Sequence, residues 1–218
     1  MSIRLVCWDL DGTLTDSVRF VVDCANEIIG RHGGRILPFD EIGERTGLSL
    51  EEIFRIAFEA PTEEFLVACR DEYRAHYDRV MIPATALYPD AEATLRAIHD
   101  AKIMQATVTG KRARDCERIL RKLGVGEYFE LFLGGDSVTV GKPAPDLALE
   151  AMRRLDAMPA ETLIVGDTRI DMEMARAAGA HACLVLWGVA KAPTGREDFV
   201  ARSFDDVSRV TLAGSPRP

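Results

Sequence analysis

The sequence predicts an α/β fold, a doubly wound parallel sheet carrying a small helical domain inserted after its first strand. Two observations predict it. Short apolar runs rich in β-branched residues recur at Ile3–Trp8, Ile103–Val108, Leu131–Leu133, Leu163–Val165 and Cys183–Trp187, bounded by turn residues as strands buried on both faces would be. Between the later runs lie stretches with apolar residues three to four apart, and strand and helix therefore alternate.

The first run predicts the first strand, with Asp9 directly after it. Helices are expected over Pro89–Ala101, Arg112–Leu123, Pro145–Leu155 and Asp171–Ala178, with Gly124 and Gly179 placed where helix C-terminal caps belong. From Ser17 to Leu87 the pattern changes. Helical periodicity occurs three times (Val18–Ile29, Leu50–Phe58, Glu63–Tyr77) without a convincing strand, and Pro38, Gly43 and Gly47 interrupt it. The expected division is thus 1–16 and 88–218 as core, with 17–87 as a helical cap. The tail from Thr194 onward, ending Gly214-Ser215-Pro216-Arg217-Pro218, is polar and is expected to fray.

At 218 residues, 47% apolar and 28% charged, the chain can bury a sizeable core. A net charge of -8 opposes binding to nucleic acid, which depends on Lys and Arg neutralising phosphates. The five cysteines form no C-x-x-C pair and suit reduced thiols, so a cytoplasmic setting is expected. No apolar run approaches the roughly 20 residues that span a bilayer, and the start of the chain lacks a signal-peptide pattern. The four histidines make no metal-ligand pattern, His76 being a weak candidate in the cap; Trp8 and Trp187 are expected in strands of the core.

In open α/β sheets ligands bind beyond the carboxyl ends of the strands, so the polar residues after each run carry the interest. They are Asp9-Leu10-Asp11-Gly12-Thr13, Thr109-Gly110-Lys111, Gly141-Lys142-Pro143 and Gly166-Asp167-Thr168-Arg169-Ile170-Asp171. Singly they are weak signals. Gly12 falls too early for a calcium loop of the EF-hand type, and Pro143 stands where a P-loop needs Ser or Thr.

Together, and in this order, these motifs resemble the haloacid dehalogenase superfamily, in particular its phosphoglycolate-phosphatase-like branch with a helical cap on a Rossmann-like core. The resemblance covers essentially the whole chain. It implies a phosphoric monoester hydrolase with Asp9 as nucleophile, Asp11 as general acid/base and Lys142 as electrostatic partner. It further implies Mg²⁺ bound by Asp9, Asp11 through its backbone carbonyl, and Asp167, with Asp171 supporting from behind and Thr109 and Gly110 holding phosphoryl oxygens. An acid at position 11 favours phosphoryl transfer over dehalogenation, because an alkoxide needs a proton on leaving and a halide does not. One departure stands out: many relatives carry Asn where this chain has Gly110. In the cap, Arg45-Thr46-Gly47-Leu48 resembles a loop lowered over the active site, and Arg45 is the residue expected to meet a second anionic group of the substrate. The implied partner is a small phosphorylated molecule, with no nucleic acid, no membrane and a homodimer left open. Alternatives are a phosphosugar mutase or pyrophosphatase of the same fold, and a binding module that has lost catalysis.

Overall fold

The computed structural model describes residues 2–213, apart from the side chains of residues 80–83. Among the described residues one sheet of six parallel strands forms the centre: β1 (Leu5–Trp8), β2 (Met104–Val108), β3 (Leu131–Leu133), β4 (Thr162–Gly166), β5 (His181–Val185) and β6 (Phe199–Ala201). Their order is β3-β2-β1-β4-β5-β6, so the direction of winding reverses between β1 and β4. The mostly apolar runs follow from burial on both faces. Leu5 and Cys7 of β1 face one core while Val6 and Trp8 face the other, the alternation a strand imposes.

On the Val6 face pack α5 (Ala91–Asp100), α6 (Ala113–Lys122) and α9 (Phe204–Leu212); on the Leu5 face pack α7 (Asp146–Arg154) and α8 (Arg169–Ala177). Trp8 is wholly buried and its indole N–H donates to Gln105 Oε1 at 3.1 Å, which removes the cost of burying a polar atom. Gly124 ends α6 at φ +78°, a conformation that disfavours any residue with a Cβ. The expected helices and strands of the core are present within one to three residues of their expected ends.

Between β1 and α5 the chain forms α1 (Val18–Arg31), α2 (Phe39–Gly43), α3 (Leu50–Arg55) and α4 (Glu63–Ala84). Val21, Val22, Ala25, Ile28 and Ile29 are buried on α1, which packs against α4. Ser49 and Glu52 cap each other's backbone N–H at the start of α3. The two connections to the sheet are tied together: Thr15 bridges Leu87, and the Asp16 and Tyr88 N–H groups donate to Ala86 and Leu14 carbonyls at 3.1 and 3.0 Å.

The expectation of a fraying tail from Thr194 is corrected, for β6 and α9 occupy most of it. Ser203 caps α9 in a reciprocal pair with Asp206, and Phe204 and Val207 bury against the core, Phe204 lying beside both tryptophans. Polar residues on the outer face masked this inner stripe. Gly214–Pro218 lie outside the described residues. Trp187 is also corrected: β5 ends at Val185, and Trp187 is half-buried beyond it with its N–H on the Thr13 carbonyl at 3.0 Å. All five cysteines are buried and free, as expected. Among the described residues no helix is long and apolar enough to cross a membrane.

Candidate active site

The reversal of winding between β1 and β4 leaves a crevice at their carboxyl ends, and each strand there delivers one carboxylate. Asp9 follows Trp8, its N–H donating to the Val165 carbonyl at 2.9 Å, and Asp167 follows Gly166 on the neighbouring strand. Carboxylate oxygens of Asp9, Asp167 and Asp171 lie within 4.8 Å of one another, all buried. Like charges so close in a buried place must be compensated.

Lys142 supplies part of that compensation. Its side chain is fully buried, and Nζ donates to Asp9 Oδ1 and Asp171 Oδ1, each at 2.6 Å. Burial opposes the ammonium charge, yet Asp171 and Asp9 overcome it and hold the Lys142 pKa above its usual value. Asp9 is pushed up to about 7 by burial, against the pull of Lys142, with Asp171 and Asp11 adding to the rise. Asp167 rises well above the carboxylate range, chiefly through burial and then through Asp9 and Asp171. One lysine therefore leaves the cluster with surplus negative charge.

That surplus and the donor set fit a hard divalent cation, which prefers carboxylate and carbonyl oxygens. Asp9 and Asp167 are the carboxylates suited to hold one. Asp171 is committed elsewhere, since Oδ1 receives Lys142 while Oδ2 receives the Thr168 N–H at 3.1 Å and Oγ1 at 2.6 Å across the start of α8. Asp167 is fixed by the Val189 N–H on Oδ2 at 2.7 Å and by the Thr13 hydroxyl on Oδ1 at 3.3 Å. Its carboxylate passes between two glycines: a Cβ on Gly12 or on Gly188 would fall 2.1 or 2.3 Å from Asp167 Oδ2. Side chains at either position would displace it.

Asp11 stands across from this cluster. Its Oδ1 accepts from Ser17 Oγ at 2.5 Å and its Oδ2 lies 2.7 Å from Lys111 Nζ. Lys111 itself lies over the Tyr77 ring, 4.1 Å from the centroid. Burial works against its charge, but Asp11, Tyr77 and Tyr73 keep its pKa well above usual. Only the backbone carbonyl of Asp11 is thereby left for a cation.

Asp9, Asp11, Thr109, Gly110 and Lys142 all line one cavity of about 830 Å³, roofed by the start of α3 and by α4. Asp167 and Asp171 lie behind it. Gly110 acquires a reason here: a Cβ on it would meet the Gly47 carbonyl oxygen at 2.7 Å, so the loop before α3 rests directly on the β2 loop. The same loop brings Thr46, Gly47 and Leu48 to the cavity but not Arg45, whose guanidinium turns away and donates to the Glu41 carbonyl at 2.6 Å. His76 stays outside the cavity, beside Glu27. Sequence reasoning passed over Ser17, Lys111, Gly188 and Val189. Lys111 directly follows the recognised Thr109-Gly110 pair, so its position was a signal; Gly188 and Val189, on a loop after β5, gave none.

A family model described as haloacid dehalogenase-like hydrolase matches residues 6–185. The chain belongs to that family. Among the relatives of these hydrolases it resembles, a phosphoglycolate phosphatase of Aquifex aeolicus is 29% identical over 95% of this chain and 96% of its own. A probable phosphatase, IndB, of Dickeya dadantii is 34% identical over 85% and 82%. A putative haloacid dehalogenase-like hydrolase from Bacteroides fragilis superposes with TM-score 0.87 at 29% identity, covering 94% of this chain and all of the other. Within the family the chain falls in the phosphoglycolate-phosphatase-like branch, and it is an enzyme of the phosphatase kind.

Proposed function

We propose that the chain is a Mg²⁺-dependent phosphatase of small, phosphoglycolate-like phosphomonoesters, working through a phosphorylated Asp9, with residues 17–87 acting as a cap. The observation that carries the reading is the Lys142 bridge between Asp9 and Asp171 beside buried Asp167, facing Asp11 across one cavity.

A phosphomonoester dianion repels an attacking carboxylate, so its charge must be neutralised before the oxygen approaches phosphorus. Asp9, Asp167 and the Asp11 carbonyl would hold Mg²⁺, which would supply that neutralisation and orient the phosphoryl group. Lys142 adds a fixed positive charge, favours the ionised form of Asp9 against burial and holds it in place, while Asp171 aims Lys142. The Thr109 hydroxyl and Gly110 N–H receive phosphoryl oxygens. Asp9 attacks phosphorus and the ester P–O bond breaks. Asp11, protonated, gives its proton to the departing oxygen, and as a carboxylate it then takes one from the water that releases phosphate. Ser17 and Lys111 fix the orientation of the Asp11 carboxyl. The cap excludes bulk water, which strengthens the interactions beneath it.

The test is a panel of phosphorylated metabolites assayed with Mg²⁺ for released inorganic phosphate. Release from small esters with little or none from an intact phosphoprotein is expected. Return of the phosphoryl group to a sugar, with no phosphate released, would point to a mutase instead.

A further inference from the structure

The face of α4 that roofs the cavity carries Arg74, whose one ion pair among the described residues, to Asp71, is long and leaves its guanidinium donors open. Arg74 lines the cavity, is 31% exposed, and makes no hydrogen bond among the described residues; its nearest carboxylate oxygen, Asp71 Oδ1, is 3.8 Å away. We propose that Arg74 is a specificity-determining residue that receives a second anionic group, carboxylate or phosphate, of an ester whose reacting phosphoryl group lies at Asp9. The inference rests on the phosphatase reading and narrows its substrate class.

The other charged groups around the cavity are held in close contacts, whereas the Arg74 pair with Asp71 is long and makes no hydrogen bond among the described residues. Glu51 pairs with Arg70 at 2.8 Å, Asp78 with Arg118 at 2.6 Å and Asp115 with Arg112 at 2.5 Å. Glu52 is spent on the Ser49 cap, and Asp136 accepts the Ala113 N–H at 2.8 Å. Lys111 and Lys142 are held by Asp11 and by Asp9 with Asp171. Burial, and then the neighbouring charges of Arg70 and Arg112, hold the Arg74 pKa below its usual value against the pull of Glu51 and Asp71. A planar guanidinium with open donors on a half-buried cavity wall is suited to a carboxylate or phosphate oxygen pair. Arg45, the cation expected in this role, is turned to a backbone carbonyl instead. The cavity of about 830 Å³ leaves space for a molecule reaching from the β-strand ends to the cap.

The experiment compares kcat/KM for 2-phosphoglycolate, for a diphosphorylated sugar and for glycerol phosphate, whose leaving group is neutral, in the wild type, Arg74→Ala, Arg74→Lys and Arg19→Ala. Arg19 is an exposed cap residue paired with Asp23 and serves as control. The preference for one or both anionic esters over glycerol phosphate should fall by about tenfold or more in Arg74→Ala, mostly through KM, with partial recovery in Arg74→Lys. Whichever anionic ester loses its advantage identifies the group that Arg74 meets. Arg19→Ala should keep the wild-type preference. Should Arg74→Ala prove unfolded by circular dichroism, Arg74→Gln and Arg74→Lys carry the same comparison. An unchanged preference, or an equal fall on all three esters, overturns the inference while leaving the phosphatase reading intact. Absence of wild-type turnover on every ester overturns both.

Discussion

Replacing Lys142 with methionine keeps the length of the side chain and removes its charge from between Asp9 and Asp171. Both contacts are 2.6 Å and the lysine side chain is fully buried, so nothing from solvent substitutes for it. Leaving a buried charge without its partner costs about 3–5 kcal/mol. Asp9, already pushed up to about 7 with Lys142 pulling it down, would rise further and lose its nucleophilic form near neutrality. The expected fall in kcat is about 10²–10³-fold, the scale for losing one electrostatic stabiliser of a transition state. Steady-state phosphate release and thermal melting would be measured on the single variant and on Lys142→Met/Asp171→Asn. The double variant should regain stability, because a neutral amide replaces one of the stranded charges, and should not regain rate. A single variant with kcat within about threefold of wild type would refute the reasoning, as would a double variant restored in rate.

Three further outcomes are expected. Because burial raises Asp9 and Asp167 above their ordinary range, the metal-free protein binds protons there more tightly folded than unfolded; that stabilisation is complete below the ordinary value of 3.8, and the share of Asp9 is lost as pH rises through about 7. Mg²⁺ should therefore raise the melting temperature more at about pH 8 than at about pH 5, and an equal rise at both would contradict the carboxylate assignment. Lys111→Met should slow hydrolysis of an alkyl phosphate about tenfold more than that of p-nitrophenyl phosphate, since only the poorer leaving group needs the proton of Asp11; an equal slowing would make Lys111 structural. Gly110→Ala should force the Gly47 backbone away and raise KM for small esters, and unaltered kinetics would show that the loop is not closed during turnover.

The fold was legible where sequence pattern and burial coincide. The runs of β1, β2 and β4 are buried on both faces and mostly apolar, their few polar side chains, Gln105, Thr107 and Thr162, being buried and hydrogen-bonded, and Gly124 and Gly179 mark helix ends because both have positive φ. The C-terminal β6 and α9 were missed because a three-residue edge strand has little pattern and α9 shows solvent a strongly charged side. At the site, Asp9, Asp11, Thr109, Lys142 and Asp167 were legible since each directly follows an apolar run or sits in a recognisable motif. The Val189 N–H on Asp167 was illegible, because a backbone donor on a loop has no residue signature. Motif position drew attention to Arg45, which turns to a backbone carbonyl, while the turn of α4 toward the cavity, a tertiary property, brings Arg74 to its lining.

The central claim is that Asp9 carries the phosphoryl group during turnover. Rapid acid quench of enzyme mixed with excess ester and Mg²⁺, followed by mass spectrometry of the protein and its peptides, tests it directly. The account predicts one phosphoryl group, transient and confined to Asp9, present in the wild type and absent from Asp9→Asn. A phosphoryl group on another residue, or steady release of phosphate by Asp9→Asn at the wild-type rate, would contradict it.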